Sequence, residues 1–146
     1  MIVLDASVAL KFLLPEADSA TALRLLERRI GLAAPDILPI ELAAAVAKYH
    51  RRRLITLAEA RTVVATAGRL AIDLHPSSPL LPSAFELSLL LGHGVYDCLY
   101  LMLARALSLP LVTADRRLHQ KADRAGLAGQ VHLLDEMDQL LAKIAT

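Results

Sequence analysis

The chain has no tryptophan, and three tyrosines and two phenylalanines are its only aromatic residues. So few rings exclude a platform on which successive nucleic-acid bases could stack. Its one cysteine, Cys98, excludes a disulfide framework and a cysteine-built metal centre. An excess of charge of one sign is missing too: Lys and Arg number 16 against 15 Asp and Glu, a formal net charge of +1. Contact with a polyanion would therefore have to come from local clusters rather than from an overall basic field. Nor is there a long uninterrupted hydrophobic run. The most apolar region, 87–112, is broken by His93, Asp97, Arg105 and Pro110 and carries Gly92 and Gly94, whereas a membrane span needs about 20 nearly uncharged residues. An acid already at position 5 does not suit a signal peptide. The expectation is a soluble, cytoplasmic protein with no membrane segment.

What the chain has in abundance is aliphatic side chains: 55% of residues are hydrophobic against 21% charged, and the mean hydropathy is +0.48. Its length suits a single domain spanning 1–146. The apolar excess predicts that some surface is covered by a partner or by a second copy.

Ile2-Val3-Leu4 is a short apolar run of the kind buried on both faces of a parallel sheet, and it runs straight into Asp5. Ser7 is placed to cap a short helix through Phe12 and Leu13, which Pro15 ends. The spacing predicts a helix over 18–30 with Asp18 as its cap, a strand at 32–34, and a helix from Ile37 to about Arg53 carrying Glu41 early. Thr56, with Glu59 three residues on, marks a capping box for a helix over 57–70. A strand at 72–75 follows. Pro79 and Pro82 open a helix that runs to Gly92-His93-Gly94, and Tyr96-Asp97 starts a markedly apolar one ending near Leu107. Strands at 111–113 and 131–133 flank a basic-faced helix over 116–125, and Asp135 caps a last helix to about Ile144. Strand and helix in alternation predict an α/β fold with helices on both faces of a mainly parallel sheet.

Most of the acids fall on polar helix faces or at helix starts. Four do not. Asp5 ends a buried strand, Glu41 sits among Ile40 and Leu42-Ala43-Ala44-Ala45, Asp97 heads a helix too apolar for the surface, and Asp115 follows the strand Leu111-Val112-Thr113. Singly, each has a plain account as a cap or a satisfied buried acid. Together, two at strand carboxyl ends and two at element beginnings can share one rim of a parallel sheet. Two carboxylates about 4 Å apart repel by roughly 4 kcal/mol at an effective dielectric near 20, so four that meet require cations or protons. A set built from oxygen suits a hard ion such as Mg²⁺ or Mn²⁺, which can activate water against a phosphodiester without a side-chain nucleophile. The five histidines, 50, 75, 93, 119 and 132, lack paired ligand spacing; His93, between two glycines, reads as a turn residue.

The segments M-I-V-L-D-A-S-V-A-L-K at 1–11, P-x-x-L-P-I-E-L-A at 35–43, Y-D-C-L-Y-L-M-L-A at 96–104 and L-V-T-A-D-R-R-L at 111–118 together resemble the PIN-domain nucleases, most closely the VapC toxins of toxin–antitoxin pairs. The resemblance runs through nearly the whole chain in order. It implies a three-layer α/β/α domain with a four- or five-stranded sheet, and Mg²⁺- or Mn²⁺-dependent endoribonuclease activity. It also implies inhibition by a small VapB-like antitoxin, and a homodimer fits the apolar excess. Carried over, Asp5, Glu41, Asp97 and Asp115 are the catalytic, metal-holding acids, and Ser7 and Thr113 orient carboxylates or waters beside the first and last of them. Lys11, Arg116 and Arg117 are candidates for gripping the RNA backbone. The basic run Lys48 to Arg53 is either a solvated helix end or a dock for RNA or antitoxin. Two departures stand out: Arg116, Arg117, Leu118 and His119 follow Asp115 where some members carry a further acid, and Cys98 replaces a common alanine. Phosphoryl transfer through an aspartyl nucleophile is disfavoured because Ser7 stands where such enzymes place a second acid. An inactive PIN-like module that only binds antitoxin or RNA is the non-enzymatic alternative.

Overall fold

The computed structural model of the chain describes residues 1–144. Its strands are β1 (Ile2–Leu4), β2 (Leu32–Pro35), β3 (Ile72–His75), β4 (Leu111–Thr113) and β5 (Val131–Leu133). Its α-helices are α1 (Ala6–Ala9), α2 (Ser19–Glu27), α3 (Leu38–Arg51), α4 (Leu57–Ala67), α5 (Leu81–Leu91), α6 (Val95–Leu107), α7 (Arg116–Arg124) and α8 (Met137–Ile144). The five strands form one sheet in the order β3-β2-β1-β4-β5, and every pairing is parallel. Helices flank it, as the alternation predicts.

Burial follows position in the sheet. Every residue of β1, β2 and β4 is buried, while the edge strand β3 has Asp73 and Leu74 exposed. That explains why β1 and β4 read as continuous apolar runs and β3 as an alternating one. α6 buries more residues than any other described helix: Cys98, Leu99, Tyr100, Leu101, Leu103 and Ala104. Its high apolar content is therefore core, and among the described residues no single helix is long and apolar enough to cross a membrane.

Local sequence rules account for most helix ends. Thr56 accepts from Glu59 N and Glu59 reaches back to Thr56 N, closing the capping box of α4. Two expected caps are corrected, and a third lacks its hydrogen bond. The strand β1 passes straight into α1, so the half-in residue is Asp5, not Ser7: Asp5 is extended (φ −94°, ψ 175°) and accepts from Val8 N. Asp18 does occupy the cap position of α2, but in the left-handed region (φ 64°) and with no side-chain cap hydrogen bond. Asp135 lies inside a short 3₁₀ turn, Leu134–Glu136, that continues into α8 from Met137, and it pairs with Arg116 instead. The helix expected over 18–30 ends at Glu27, with Arg29 in the left-handed region at φ 52° just beyond it.

Candidate metal centre

The chain runs outward from β1 through β2 to β3, then returns to the other side of β1 for β4 and β5. The strand order reverses between β1 and β4, and open parallel sheets bind ligands outside the carboxyl ends of the strands at such a point. Asp5 directly follows β1, and Asp115 caps α7 just past β4. Glu41 and Asp97 lie in the first turns of α3 and α6.

Asp5 is the most enclosed of the four, with 3% of its surface exposed. Its Oδ1 accepts from Ser7 Oγ (2.5 Å) and Val8 N (3.2 Å), and its Oδ2 accepts from Thr113 Oγ1 (2.5 Å). Burial pushes its carboxyl up to about 6, outweighing the Ser7, Thr113 and Val8 hydrogen bonds that pull the other way, and the charge of Asp97 adds to the rise. Ser7 Oγ in turn accepts from Ala114 N (2.9 Å), and Thr113 Oγ1 from Asp115 N (3.0 Å). Both hydroxyls expected beside the acids therefore stitch Asp5 to the turn after β4.

Glu41 is held by a residue that sequence reasoning missed. Tyr100 OH donates to Glu41 Oε1 at 2.8 Å. The tyrosine is fully buried, and burial, followed by the charge of Glu41, pushes its hydroxyl far above the ordinary range. Glu41 is itself raised, chiefly by burial and further by the charges of Asp97 and Asp5. Tyr100 stands three residues beyond Asp97 on α6, a spacing that puts both on one face. That spacing was the available signal.

His93 was missed as well. Its Nε2 lies 2.6 Å from Asp97 Oδ2 and 3.6 Å from Asp115 Oδ2, and only 9% of its side chain is exposed. It precedes Asp97 by four residues, but the turn between α5 and α6 hides that relation from a search for histidine pairs. Asp115 is the helix cap of its plain reading, Oδ1 accepting from Arg117 N (2.8 Å) and Leu118 N (3.2 Å), while Oδ2 stands 3.6 Å from His93 Nε2. His93, Asp97 and Asp115 line an open cleft of about 640 Å³ together with Arg117 and Lys121.

The donor set fits a divalent cation. One ligand atom each from His93, Asp97 and Asp115 can be chosen so that all lie within 4.8 Å of one another. Asp97 is common to this trio and to the charge coupling with Asp5 and Glu41. Among the described residues, Asp97 Oδ1 and Glu41 Oε2 have no hydrogen-bond partner.

The three basic candidates separate. Lys11 is buried, and its Nζ donates to the Ala17 carbonyl (2.7 Å) and Glu16 Oε2 (3.3 Å), so the expectation that it grips a substrate is corrected. Charge burial explains this, because an ammonium removed from water must be paired. Arg116 is exposed but paired with Asp135. Arg117 lines the cleft, and its guanidinium has no partner among the described residues. In the basic run 48–53, Tyr49 turns inward and donates to Glu16 Oε1 at 2.7 Å.

These features define a parallel α/β protein with an acidic, cation-competent pocket at its topological switch point. A family model described as the PIN domain matches residues 2–124, and the chain belongs to the PIN-domain family, within it beside the VapC group. It is 35% identical over 120 residues to Ribonuclease VapC12 of Mycobacterium tuberculosis, covering 82% of this chain and 91% of that protein. A crystal structure of a Pyrobaculum aerophilum protein shares the fold, with a TM-score of 0.72 and 22% identity, covering 99% of this chain and 88% of the other. So does a chain of a toxin–antitoxin complex from Klebsiella pneumoniae, at a TM-score of 0.62 and 19% identity, covering 92% and 98% respectively.

Proposed function

We propose that the chain is a Mg²⁺- or Mn²⁺-dependent endoribonuclease, the toxin of a type II toxin–antitoxin pair, acting in the cytoplasm as a single PIN-like domain. The observation that supports this is the coupling of Asp97 by charge to Asp5 and Glu41 and its closeness to Asp115 and His93, beyond the carboxyl ends of β1 and β4. The ribonuclease naming of a relative at 35% identity supports the reaction class.

In this reading the four acids would hold the cation, which would supply Lewis-acid polarisation of a phosphoryl oxygen and a lowered pKa for an attacking water. The chain's own residues supply position. Ser7 and Thr113 fix both oxygens of Asp5, Tyr100 fixes one oxygen of Glu41, and the α7 amides fix one oxygen of Asp115. Each remaining lone pair is thereby aimed rather than free to rotate, which lowers the reorganisation needed at reaction. Arg117 is placed to take a phosphate of the RNA backbone. With so few rings elsewhere, recognition rests on the backbone and shape of the RNA.

Two apolar surfaces suit the partners. A cleft of about 520 Å³ between α3 and α4, lined by Ala43, Val46, Ala47, Leu57, Ala60 and Val64, fits an apolar helix face of a VapB-like antitoxin. On α5, Leu81, Phe85, Leu89 and Leu90 are exposed, as expected of a face covered in a homodimer.

Purified protein should cleave a labelled RNA with Mn²⁺ or Mg²⁺, lose that activity in a chelator and regain it when either ion returns. Undiminished cleavage in chelator would overturn the metal dependence, and no cleavage of any RNA with either ion would favour a binding module. Replacing Tyr100 by Phe leaves Glu41 Oε1 unpartnered and should slow cleavage about 10–100-fold. Restored cleavage at raised Mn²⁺ would mark a loss of metal affinity, whereas a slow rate at saturation would mark misplacement of the carboxylate.

A further inference from the structure

A PIN pocket read from its acids alone is an all-oxygen site, and this one contains an imidazole. His93 is held there by its backbone. Ser88 Oγ donates to the His93 carbonyl (2.5 Å), and His93 N donates to the Ser88 carbonyl (3.2 Å). Lys121 Nζ, reaching from α7, donates to the carbonyl of Gly92. Gly92 ends α5 in the left-handed region (φ 56°), and Gly94 begins α6 in an extended conformation. The turn is thus tied to α5 and to α7, and it delivers one side chain, nine-tenths buried, between the carboxylates of Asp97 and Asp115.

The spacing suits shared coordination. Ligand atoms at about 2.1 Å from a six-coordinate ion stand about 3–4.2 Å from one another. The 3.6 Å separation of Nε2 from Asp115 Oδ2 already lies in that range, and the 2.6 Å one from Asp97 Oδ2, a hydrogen bond here, would have to give up its proton and lengthen by about 0.4 Å on coordination. Carboxylate ligands alone serve Mg²⁺ as well as Mn²⁺, whereas a neutral imidazole is a poor ligand for Mg²⁺ and a good one for transition ions.

We propose that His93 is a metal ligand, forming with Asp97 and Asp115 a mixed nitrogen–oxygen subsite that selects Mn²⁺ over Mg²⁺. This rests on the metal-dependent reading of the pocket and goes beyond it in assigning His93 and the preferred ion. The subsite shares Asp97 with Asp5 and Glu41, so it is the selective part of the same pocket.

The test is electron paramagnetic resonance of Mn²⁺ bound to the full chain, with pulsed detection of nitrogen coupling and Mg²⁺ competition to rank the ions. Wild-type protein should show coupling to a directly bound ¹⁴N and bind Mn²⁺ at least about tenfold more tightly than Mg²⁺. His93→Gln, which keeps a polar side chain, should lose the coupling, and its Mn²⁺ affinity should fall about 10-fold while Mg²⁺ affinity changes little. Bound Mn²⁺ without nitrogen coupling in the wild type needs no variant and would overturn the assignment while leaving the nuclease reading intact. Equal losses for both ions in His93→Gln, or a gain in affinity, would overturn it too, marking a positional role or an ion-pair partner that the metal must displace. If wild-type protein binds neither ion, the metal-dependent reading falls together with this one.

Discussion

Asp97→Asn should reduce RNA cleavage by about 1,000-fold or more at any Mn²⁺ concentration. Asp97 is the carboxylate on which the site converges: its charge raises Asp5 and Glu41, and its Oδ2 meets His93 at 2.6 Å. In the proposed site it is the ligand common to both groupings, and the several kcal/mol that metal-ion catalysis contributes correspond to about three powers of ten in rate. The fold should survive. Asp97 is one-third exposed in the first turn of α6, so the amide forfeits a helix-terminus interaction of about 0.3–1 kcal/mol and gains relief from carboxylate repulsion. Cleavage assays over a Mn²⁺ series, with denaturant unfolding on the same preparations, separate the two effects. A variant that cuts RNA within a few-fold of wild type would remove Asp97 from the site.

Asp5→Asn should abolish cleavage and, in metal-free protein at neutral pH, stabilise the fold. The carboxyl titrates at about 6 in the folded chain against an ordinary 3.8, with burial as the largest cause. The folded state therefore holds the proton more tightly than the unfolded state. The stability this group contributes is complete below about pH 4 and is lost as pH rises through about 6. A shift of about two units corresponds to about 3 kcal/mol. Asparagine removes that loss but leaves the Thr113 hydroxyl proton, now on Asp5 Oδ2, without its acceptor, at a cost of about 1 kcal/mol. The net gain at pH 7 should be about 1–2 kcal/mol. Unfolding midpoints measured from about pH 4 to pH 7 in chelator should fall less steeply for the variant. Equal slopes, or a variant that fails to fold at all, would make Asp5 a structural cap rather than a strained ligand.

Much of this was legible in the residues because the relevant signals are local. β1 and β4 announce themselves as uninterrupted apolar runs because both faces are covered, and α4 announces its start through Thr56 and Glu59. The four acids stood out because each interrupts an apolar context, and parallel topology then places strand ends and helix starts on one rim. What escaped depends on contacts across the chain. Lys11 lies near Asp5 in sequence, yet the turn after α1 directs its ammonium to Glu16 and Ala17. Tyr100 reads as one more core residue of α6; its spacing puts it on the face of Asp97, but only the fold shows that its hydroxyl ends at Glu41, 59 positions away. His93 reads as a loop residue because its closeness to Asp97 and Asp115 follows from where Gly92, Lys121 and Ser88 anchor that loop. Asp5 rather than Ser7 caps the first helix because α1 begins at Ala6, directly after the strand, two residues before a serine cap would start it.

Calorimetric titration of Mn²⁺ into chelator-treated protein, run in parallel on wild type and Asp97→Asn, tests most directly whether these side chains form one cation site. The expected result is saturable heat for wild type and its loss in the variant. No saturable heat for wild type, or superimposable curves for the two proteins, would contradict a metal centre built on Asp97.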